Sequence, residues 1–199
     1  MKYEIMLKDI DLIEEKLNFN KERCITFFGS ARFSSDNKYS QSAYKLAKKL
    51  ADKKFTIITG GGGGIMEAAN KGAFEAGHGK SIGINAILPN EQEVNQYVNN
   101  GMVFSTMALR KVALTKNSES FVIFPGGYGT LDELFEIFVL VQSHKIKAKI
   151  FLFGTEFWTS LIDFLKTSLL ENETIKEEEL EIFKLSDDIE YIYEEIIKD

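Results

Sequence analysis

A short apolar run that enters a glycine-rich turn and then an amphipathic helix recurs along this chain, and this unit limits the possible folds more than any other feature. Residues 55–59 lead into five consecutive glycines, and residues 120–124 lead into Pro125-Gly126-Gly127. Short apolar runs bounded by turn residues are typical of buried strands. The strands predicted in this way are 24–28, 55–59, 81–85, 120–124 and 148–153, and the predicted helices between them are 40–52, 65–76 and 130–142.

The order of these units predicts the architecture. Strands that are apolar throughout and alternate with helices indicate a parallel sheet with both faces covered. We therefore predict a single α/β domain over residues 1–199, with a Rossmann-like, doubly wound parallel sheet. Residues 1–20 are predicted to form an N-terminal amphipathic helix, and the acidic residues 171–199 a largely helical region. Ligands of such sheets bind at the carboxyl ends of the strands, where the strand order reverses.

Charge and hydropathy exclude several partners. The net charge of -6 argues against a protein that binds nucleic acid or an anionic membrane, because those partners select clustered Lys and Arg. No apolar stretch approaches the ~18 residues of a membrane span, and the N-terminus lacks the apolar segment of a signal peptide. Cys24 is the single cysteine, so we expect no intramolecular disulfide and a reducing compartment. The cytoplasm is therefore the expected location.

The five glycines Gly60–Gly64 favour a phosphate-binding turn. They follow a predicted strand and open a helix, where free backbone N–H groups attract an anion. The alternative is a tight turn that lets the helix pack closely on the sheet. The dinucleotide-binding pattern is not met, because Ile65 replaces its last glycine and Lys80 stands where an acid is expected. A Walker loop is not met either, because Phe74 replaces its first glycine, so dehydrogenases and ATPases are disfavoured.

A second glycine-rich turn, residues 125–133 with the sequence PGGYGTLDE, lies between a predicted strand and a predicted helix. Thr130 followed three residues later by Glu133 fits a capping box, which would satisfy free N–H groups at the helix start. Capping alone does not require a proline and three glycines upstream. A carboxylate beside a phosphate-binding helix terminus is also placed to act on the sugar of a nucleotide.

Arg110 and Lys111 form a basic pair at the start of another predicted helix. Cations are disfavoured by the helix dipole at that end, so an anionic ligand would explain the pair. An ordinary solvent-facing basic pair is the alternative. His78 and His144 are isolated from other candidate ligands, and we expect neither a metal site nor a cofactor.

Together these segments resemble the LOG family, the cytokinin-activating phosphoribohydrolases and their bacterial relatives, whose motif is PGGxGTxxE with an upstream Arg-Lys pair. The resemblance extends from residues 28–32 (FGSAR) through the glycine turn and residues 88–92 (LPNEQ) to residues 153–158 (FGTEFW). It covers most of the chain, and the FGSAR and LPNEQ segments are closer to the longer bacterial branch. The older lysine decarboxylase label of this family finds little support, because we see no lysine in a setting typical of a Schiff base.

The resemblance implies a hydrolase that cleaves the N-glycosidic bond of AMP or an N6-substituted AMP. Such cleavage passes through an oxocarbenium-like state, which a carboxylate stabilises, and Glu133 is our candidate for it. By the resemblance, Arg110 is its catalytic partner, and Asp132 is an alternative carboxylate. The predicted contacts to the substrate and its phosphate come from Gly61, Gly62, Gly63, Gly64, Glu91, Lys111, Gly126, Gly127, Gly129, Thr130 and Asp132.

Two further expectations concern the class of protein and its assembly. The alternative to an enzyme is a protein that binds a nucleotide or a phosphorylated cofactor without turnover, as a sensor or carrier. The helix after Thr130 has apolar residues on more than one face, which indicates either deep burial or contact with a partner. This helix and the family resemblance together predict a homodimer or an assembly of dimers.

Overall fold

Seven strands form one parallel sheet, with α-helices on both faces, in the computed structural model, which describes residues 2–17, 22–77, 80–87 and 93–198. The strands are β1 Cys24–Phe28, β2 Thr56–Thr59, β3 Ser81–Ala86, β4 Asn100–Phe104, β5 Ser118–Ile123, β6 Lys149–Phe153 and β7 Phe183–Ser186. The α-helices are α1 Lys2–Lys16, α2 Lys38–Asp52, α3 Ile65–Ala76, α4 Met107–Thr115, α5 Tyr128–Gln142, α6 Thr155–Phe164 and α7 Ile189–Ile197. A π-helical turn, Leu165–Leu170, and a 3-10 helix, Glu177–Leu180, lie between α6 and β7.

The strand order is β4-β3-β2-β1-β5-β6-β7, and every neighbouring pair is parallel. The chain builds the sheet outward from β1 to β4, then returns to the other side of β1 and builds outward again from β5 to β7. This confirms the predicted doubly wound α/β fold. The order reverses between β1 and β5, so the carboxyl ends of these two strands form the crevice in which such folds bind ligands.

Two hydrophobic layers cover the sheet. Alternate residues of β1 face opposite layers: Cys24 and Phe28 belong to one, and Ile25 and Phe27 to the other. The first layer includes residues of α1, α4, α5 and α6, and the second includes residues of α2, α3 and α7. Because both faces are buried, the central strands are apolar throughout, and this explains why they were predictable.

Two edge strands, β4 and β7, were not predicted. In β4 only two residues, Met102 and Phe104, are buried, and no residue of β7 is fully buried. An edge strand of this kind lacks the continuous apolar run that marks a central strand. The C-terminal region is also less helical than predicted, because a 3-10 helix, β7 and α7 share residues 171–198.

Three structural findings concern the predictions made from composition about cysteine, membrane spans and metal sites. Cys24 is buried as a free thiol. Among the described residues, no helix is long and apolar enough to cross a membrane, and no three His, Cys, Asp or Glu side chains come together as a metal site. His78 and Glu91, both named in the sequence analysis, lie outside the described residues.

Candidate active site

A cavity of about 790 Å³ opens at the carboxyl ends of β1 and β5, where the strand order reverses. A volume of this size is typical of small-ligand sites. Six segments contribute to its wall, and most of them are loops or helix starts that follow a strand. The lining residues are Gly29, Ser30, Ala31, Arg32, Phe33, Met66, Asn85, Ala86, Met107, Arg110, Gly126, Gly127, Tyr128, Gly129, Thr130, Leu131, Glu133 and Phe157.

Arg110 and Glu133 form an ion pair in the wall of this cavity. The distance from Arg110 Nη1 to Glu133 Oε1 is 3.3 Å, and the two side chains are only 13% and 14% exposed. Arg110 Nε also donates to the Ile84 carbonyl at 3.0 Å, which fixes the guanidinium against the end of β3. A Cβ atom at residue 60 would collide with this guanidinium, so Gly60 leaves the space that Arg110 occupies. The two predicted catalytic residues are therefore in contact.

The environment of Glu133 changes its protonation. Burial raises the pKa of Glu133 from its usual 4.5 to about 7, the Arg110 guanidinium opposes this rise, and the nearby Asp132 carboxylate adds to it. A carboxyl group with a pKa near neutrality exchanges a proton readily at physiological pH, which suits general acid–base catalysis. Strong perturbation of a carboxyl group inside a cavity is characteristic of functional sites.

The first turn of α5 presents backbone N–H groups beside this ion pair. The N-cap is Gly127, and Leu131 is the first residue whose amide donates to its carbonyl, at 3.0 Å. The amides of Tyr128, Gly129 and Thr130 therefore precede the intrahelical hydrogen bonds of α5. Residues 127–129 are exposed. Together with the helix dipole, these groups form a place where an anion such as phosphate can bind.

The predicted capping box is wrong. Because α5 begins at Tyr128 and not at Thr130, Thr130 is the third helical residue, and the N-cap is Gly127, which has no side chain to cap this helix end. Thr130 is buried, and its side chain packs where a Cβ atom of residue 126 would lie, so Gly126 is required by this close approach. Glu133 therefore completes no capping box here, and its side chain pairs with Arg110.

Lys111 and Asp132 do not line the cavity. The Lys111 Nζ atom lies 3.1 Å from Asp132 Oδ1 and 3.4 Å from Glu136 Oε2, and the Asp132 side chain is 56% exposed. Both residues thus belong to an ion-pair network between α4 and α5 outside the cavity. Their predicted contacts with substrate, and the role of Asp132 as an alternative carboxylate, gain no support from this geometry.

The five-glycine turn packs against its neighbours rather than lining this cavity. Gly64 has a φ of 64°, and a Cβ atom there would collide with the Ser30 carbonyl, which accepts the amide of Ile65. The Asn95 side chain donates to the carbonyls of residues 61 and 62. These contacts fit the alternative of a tight turn with close packing. Gly64 lines a second cavity of about 670 Å³ between α2 and α3, and a phosphate contact of Gly61, Gly62, Gly63 and Gly64 stays a prediction.

Several residues that line the cavity were not predicted as site residues from the sequence. Ser30 and Arg32 lie in the loop after β1, Asn85 is the penultimate residue of β3, and Phe157 lies in the first turn of α6. The position of β1 beside the crevice provides a signal for the first two, because ligands in this fold meet the loops after the strands at the reversal point. Asn85 and Phe157 come from elements whose neighbours depend on the full strand order.

Comparison with known proteins places this chain in a family. A family model described as "Possible lysine decarboxylase" matches residues 66–196. The probable cytokinin riboside 5'-monophosphate phosphoribohydrolase LOG4 of Oryza sativa subsp. japonica is 32% identical over 122 residues, which are 60% of this chain and 53% of that protein. The cytokinin riboside 5'-monophosphate phosphoribohydrolase LOG1 of Arabidopsis thaliana is 30% identical over 156 residues, 75% of this chain and 71% of that protein. The chain thus spans about half the length of the Oryza protein.

Solved structures share the fold at lower identity. The molybdenum cofactor binding protein from the phototrophic bacterium Rippkaea orientalis has a TM-score of 0.65 and 20% identity, with 89% of this chain and 96% of that chain covered. The molybdenum cofactor carrier protein from Chlamydomonas reinhardtii has a TM-score of 0.62 and 24% identity, with 90% and 100% covered. At these identities the likeness concerns the fold.

Proposed function

This chain belongs to the LOG family, described as possible lysine decarboxylases, and from that premise we propose that it is a nucleoside 5'-monophosphate phosphoribohydrolase. The proposed reaction is hydrolysis of the N-glycosidic bond of AMP or an N6-substituted AMP, with release of the free base and ribose 5-phosphate. One observation carries the proposal: the buried Arg110–Glu133 pair and the exposed start of α5 line the same cavity.

In this proposal the start of α5 binds the substrate, and the Arg110–Glu133 pair carries out the chemistry. The free amides at the start of α5 bind the phosphate, which leaves the sugar to approach Glu133. The Glu133 carboxylate stabilises the oxocarbenium-like state and accepts a proton from water as the water oxygen bonds to C1'. The C1'–N bond breaks, its electron pair goes to the base, and the base takes up a proton from solvent, to which Glu133 returns the proton that it accepted from water. Arg110 holds the Glu133 carboxylate and orients the substrate.

A decarboxylase reaction through pyridoxal phosphate fits these residues poorly. That chemistry needs a lysine to form a Schiff base with the cofactor. Among the described residues, those that line the cavity include two arginines, Arg32 and Arg110, but no lysine. The proposed hydrolysis needs no such residue.

A non-catalytic binding protein is the second candidate. Solved structures of the same fold include proteins described as molybdenum cofactor carriers, and a helix terminus that binds phosphate would also hold a phosphorylated cofactor. A carrier needs the anion site but not a carboxyl group with a pKa near 7 beside it. The Glu133 environment therefore favours the enzyme.

Incubation of the purified protein with a panel of nucleoside 5'-monophosphates separates these candidates. We expect chromatography to detect free base and ribose 5-phosphate from AMP or an N6-substituted AMP. Adenosine is the matched control, and we expect a much lower rate with it, because binding of the remote phosphate lowers the barrier at the sugar. Binding of the nucleotides without release of base would support a carrier, and equal rates with AMP and adenosine would contradict the phosphate role.

We also propose that the protein is a homodimer. Adjacent helices on one face of the sheet carry exposed apolar side chains, among them Val112 of α4 and Phe135 and Val139 of α5. Exposed apolar groups that lie on neighbouring elements are typical of protein–protein interfaces. The residues that lie next to this face include the Lys111–Asp132 pair, so a partner would also cover the outer side of the site.

A further inference from the structure

The N-terminal helix α1 contributes one buried acid to the start of α4. Asp9 is only 3% exposed. Its Oδ2 atom accepts from the Thr106 amide at 2.9 Å and from the Thr106 hydroxyl at 2.8 Å. The Ser105 amide donates to both Asp9 carboxylate oxygens, each at 3.1 Å. Asp9 therefore accepts from the backbone N–H groups of the two residues that precede α4, Ser105 and Thr106, although Ser105 lies 96 positions away along the chain.

α4 has no cap of its own. Its N-cap, Thr106, makes no capping hydrogen bond through its side chain, and the first turn contains no acid. The helix instead has Arg110 and Lys111 close to its N-terminus, where the helix dipole disfavours cations. A carboxylate at this end offsets that cost and satisfies free amides, and Asp9 supplies it from another element.

Asp9 does not bond Arg110 directly, and Thr106 is hydrogen-bonded to both residues. Asp9 holds the amide and hydroxyl of Thr106, and the Thr106 carbonyl accepts the Arg110 amide at 3.1 Å in the first turn of α4. The C-terminal end of α4 is also held, because Asn117, two residues after this helix, donates from its side chain to the Leu17 carbonyl at 2.6 Å. α1, together with Leu17 directly after it, thus contacts the residues that flank α4 at both ends.

We propose that Asp9 is a positioning residue for Arg110, acting through Thr106 and the start of α4. The proposal rests on the proposed function for its activity readout, and it assigns a role in the site to a helix outside the family match at residues 66–196. The Arg110 guanidinium must meet both the Ile84 carbonyl and Glu133. A shift of the first turn of α4 would break one of these contacts.

Three variants test this role at a temperature where each is folded by thermal melting. We expect Asp9→Ala to lower kcat by about 10- to 100-fold with a small change in KM, because a displacement of about 1 Å at a catalytic group has effects of this size. Asp9→Asn retains one acceptor oxygen, so we expect an intermediate kcat. Asp11→Ala is the matched control, because Asp11 is exposed on the same helix. We expect it to match the wild type.

A double-mutant cycle separates positioning from general destabilisation. If Asp9 acts through Arg110, Asp9→Ala lowers the melting temperature in an Arg110→Ala background but gives no further loss of kcat. An equal loss of kcat in both backgrounds would overturn the proposal. A kcat of Asp9→Ala equal to that of the wild type would overturn it as well.

One readout does not depend on activity. In the wild type the Ile84 carbonyl accepts the Arg110 Nε–H group, which should protect this proton from exchange with solvent in NMR spectra. We expect faster exchange in Asp9→Ala and unchanged exchange in Asp11→Ala. If the wild type releases no base from any nucleotide, the proposed function fails, and unchanged Arg110 Nε–H exchange in Asp9→Ala would separately overturn the positioning role.

Discussion

Among single residues, Glu133 and Arg110 form a buried ion pair, and both burial and this pairing set the pKa of Glu133. The carboxyl group is enclosed, which raises its pKa to about 7, and Arg110 limits that rise. Sequence reasoning could select both residues, Glu133 from the chemistry of glycosidic cleavage and Arg110 from family resemblance. It could not reveal their 3.3 Å contact, because they lie on different helices, 23 positions apart.

Replacement of Glu133 by Gln tests the carboxylate directly. We expect a folded protein that binds AMP with kcat lower by ~100-fold or more, the range expected when a general base is removed. A capping box is not available to explain the loss, since the N-cap of α5 is Gly127 and Thr130 is a helical residue. Base release gives the rate, calorimetry the affinity and thermal melting the stability.

The matched control for this substitution is Asp132→Asn. Asp132 precedes Glu133 in the chain, but its side chain is exposed and pairs with Lys111 outside the cavity. We expect near-normal kcat for this variant. A normal kcat in Glu133→Gln together with a large loss in Asp132→Asn would transfer the catalytic role to Asp132.

The pH profile provides a second test at this scale. A pKa near 7 means that the carboxylate form of Glu133 increases as pH rises through 7. If the carboxylate is the active form, kcat/KM should rise with pH below about 7 and level off above it. Arg110→Ala should move this limb to higher pH, because the guanidinium lowers the pKa of Glu133.

The substrate phosphate needs to be separated from this profile, because its own second pKa is about 6. A limb caused by the phosphate should persist in the residual activity of Glu133→Gln, whereas a limb caused by Glu133 should disappear. An activity that falls as pH rises through 7 would contradict a carboxylate role and indicate that the protonated form of Glu133 is required.

At the scale of elements, the start of α5 shows where pattern reasoning ends. The sequence predicted a helix from Thr130, and the helix begins two residues earlier, at Tyr128. This small difference converts Thr130 from a capping residue into a buried helical residue and removes the capping box. Helix ends depend on local contacts, here the packing of Thr130 on Gly126, and such contacts leave little trace in hydrophobic periodicity.

A substitution at Gly129 should affect the stability of α5 and the binding of AMP in opposite directions. Gly129 lies in the first turn of α5, and a Cβ atom there would meet nothing within 4 Å. Because Ala is the better helix former, Gly129→Ala should raise the free energy of unfolding by up to roughly 1 kcal/mol. The added methyl group would lie at the anion site, so we expect weaker AMP binding. Thermal melting and calorimetry measure the two effects.

Gly126→Ala is the comparison for this element. Its Cβ atom would collide with the Thr130 side chain, so we expect a loss of about 1–3 kcal/mol of stability, the usual result of overpacking. Unchanged AMP affinity in a stabilised Gly129→Ala protein would show that the ligand does not approach this turn.

At the scale of the whole molecule, the doubly wound fold was predictable because its central strands are buried on both faces. The five strands predicted from apolar runs match β1, β2, β3, β5 and β6. The outer strands β4 and β7 were missed because half-exposed edges carry few apolar residues. The cavity also depends on the whole sheet, since the order of strands decides which loops share the crevice at the ends of β1 and β5.

The assembly belongs to the same scale, and its prediction follows from one face of the sheet. The helices α4 and α5 are joined by ion pairs, and beside these they expose Val112, Phe135 and Val139, the last with 57% of its surface accessible. We expect light scattering to report a dimer or a larger assembly at micromolar concentration, because association removes this apolar surface from water. Val139→Glu should weaken the assembly, since it would bury a charge at the contact. Phe74→Glu is the matched control, as Phe74 is a comparably exposed residue of α3, on the opposite face of the sheet. A wild-type monomer at all accessible concentrations, or equal weakening by both variants, would contradict an interface on α4 and α5.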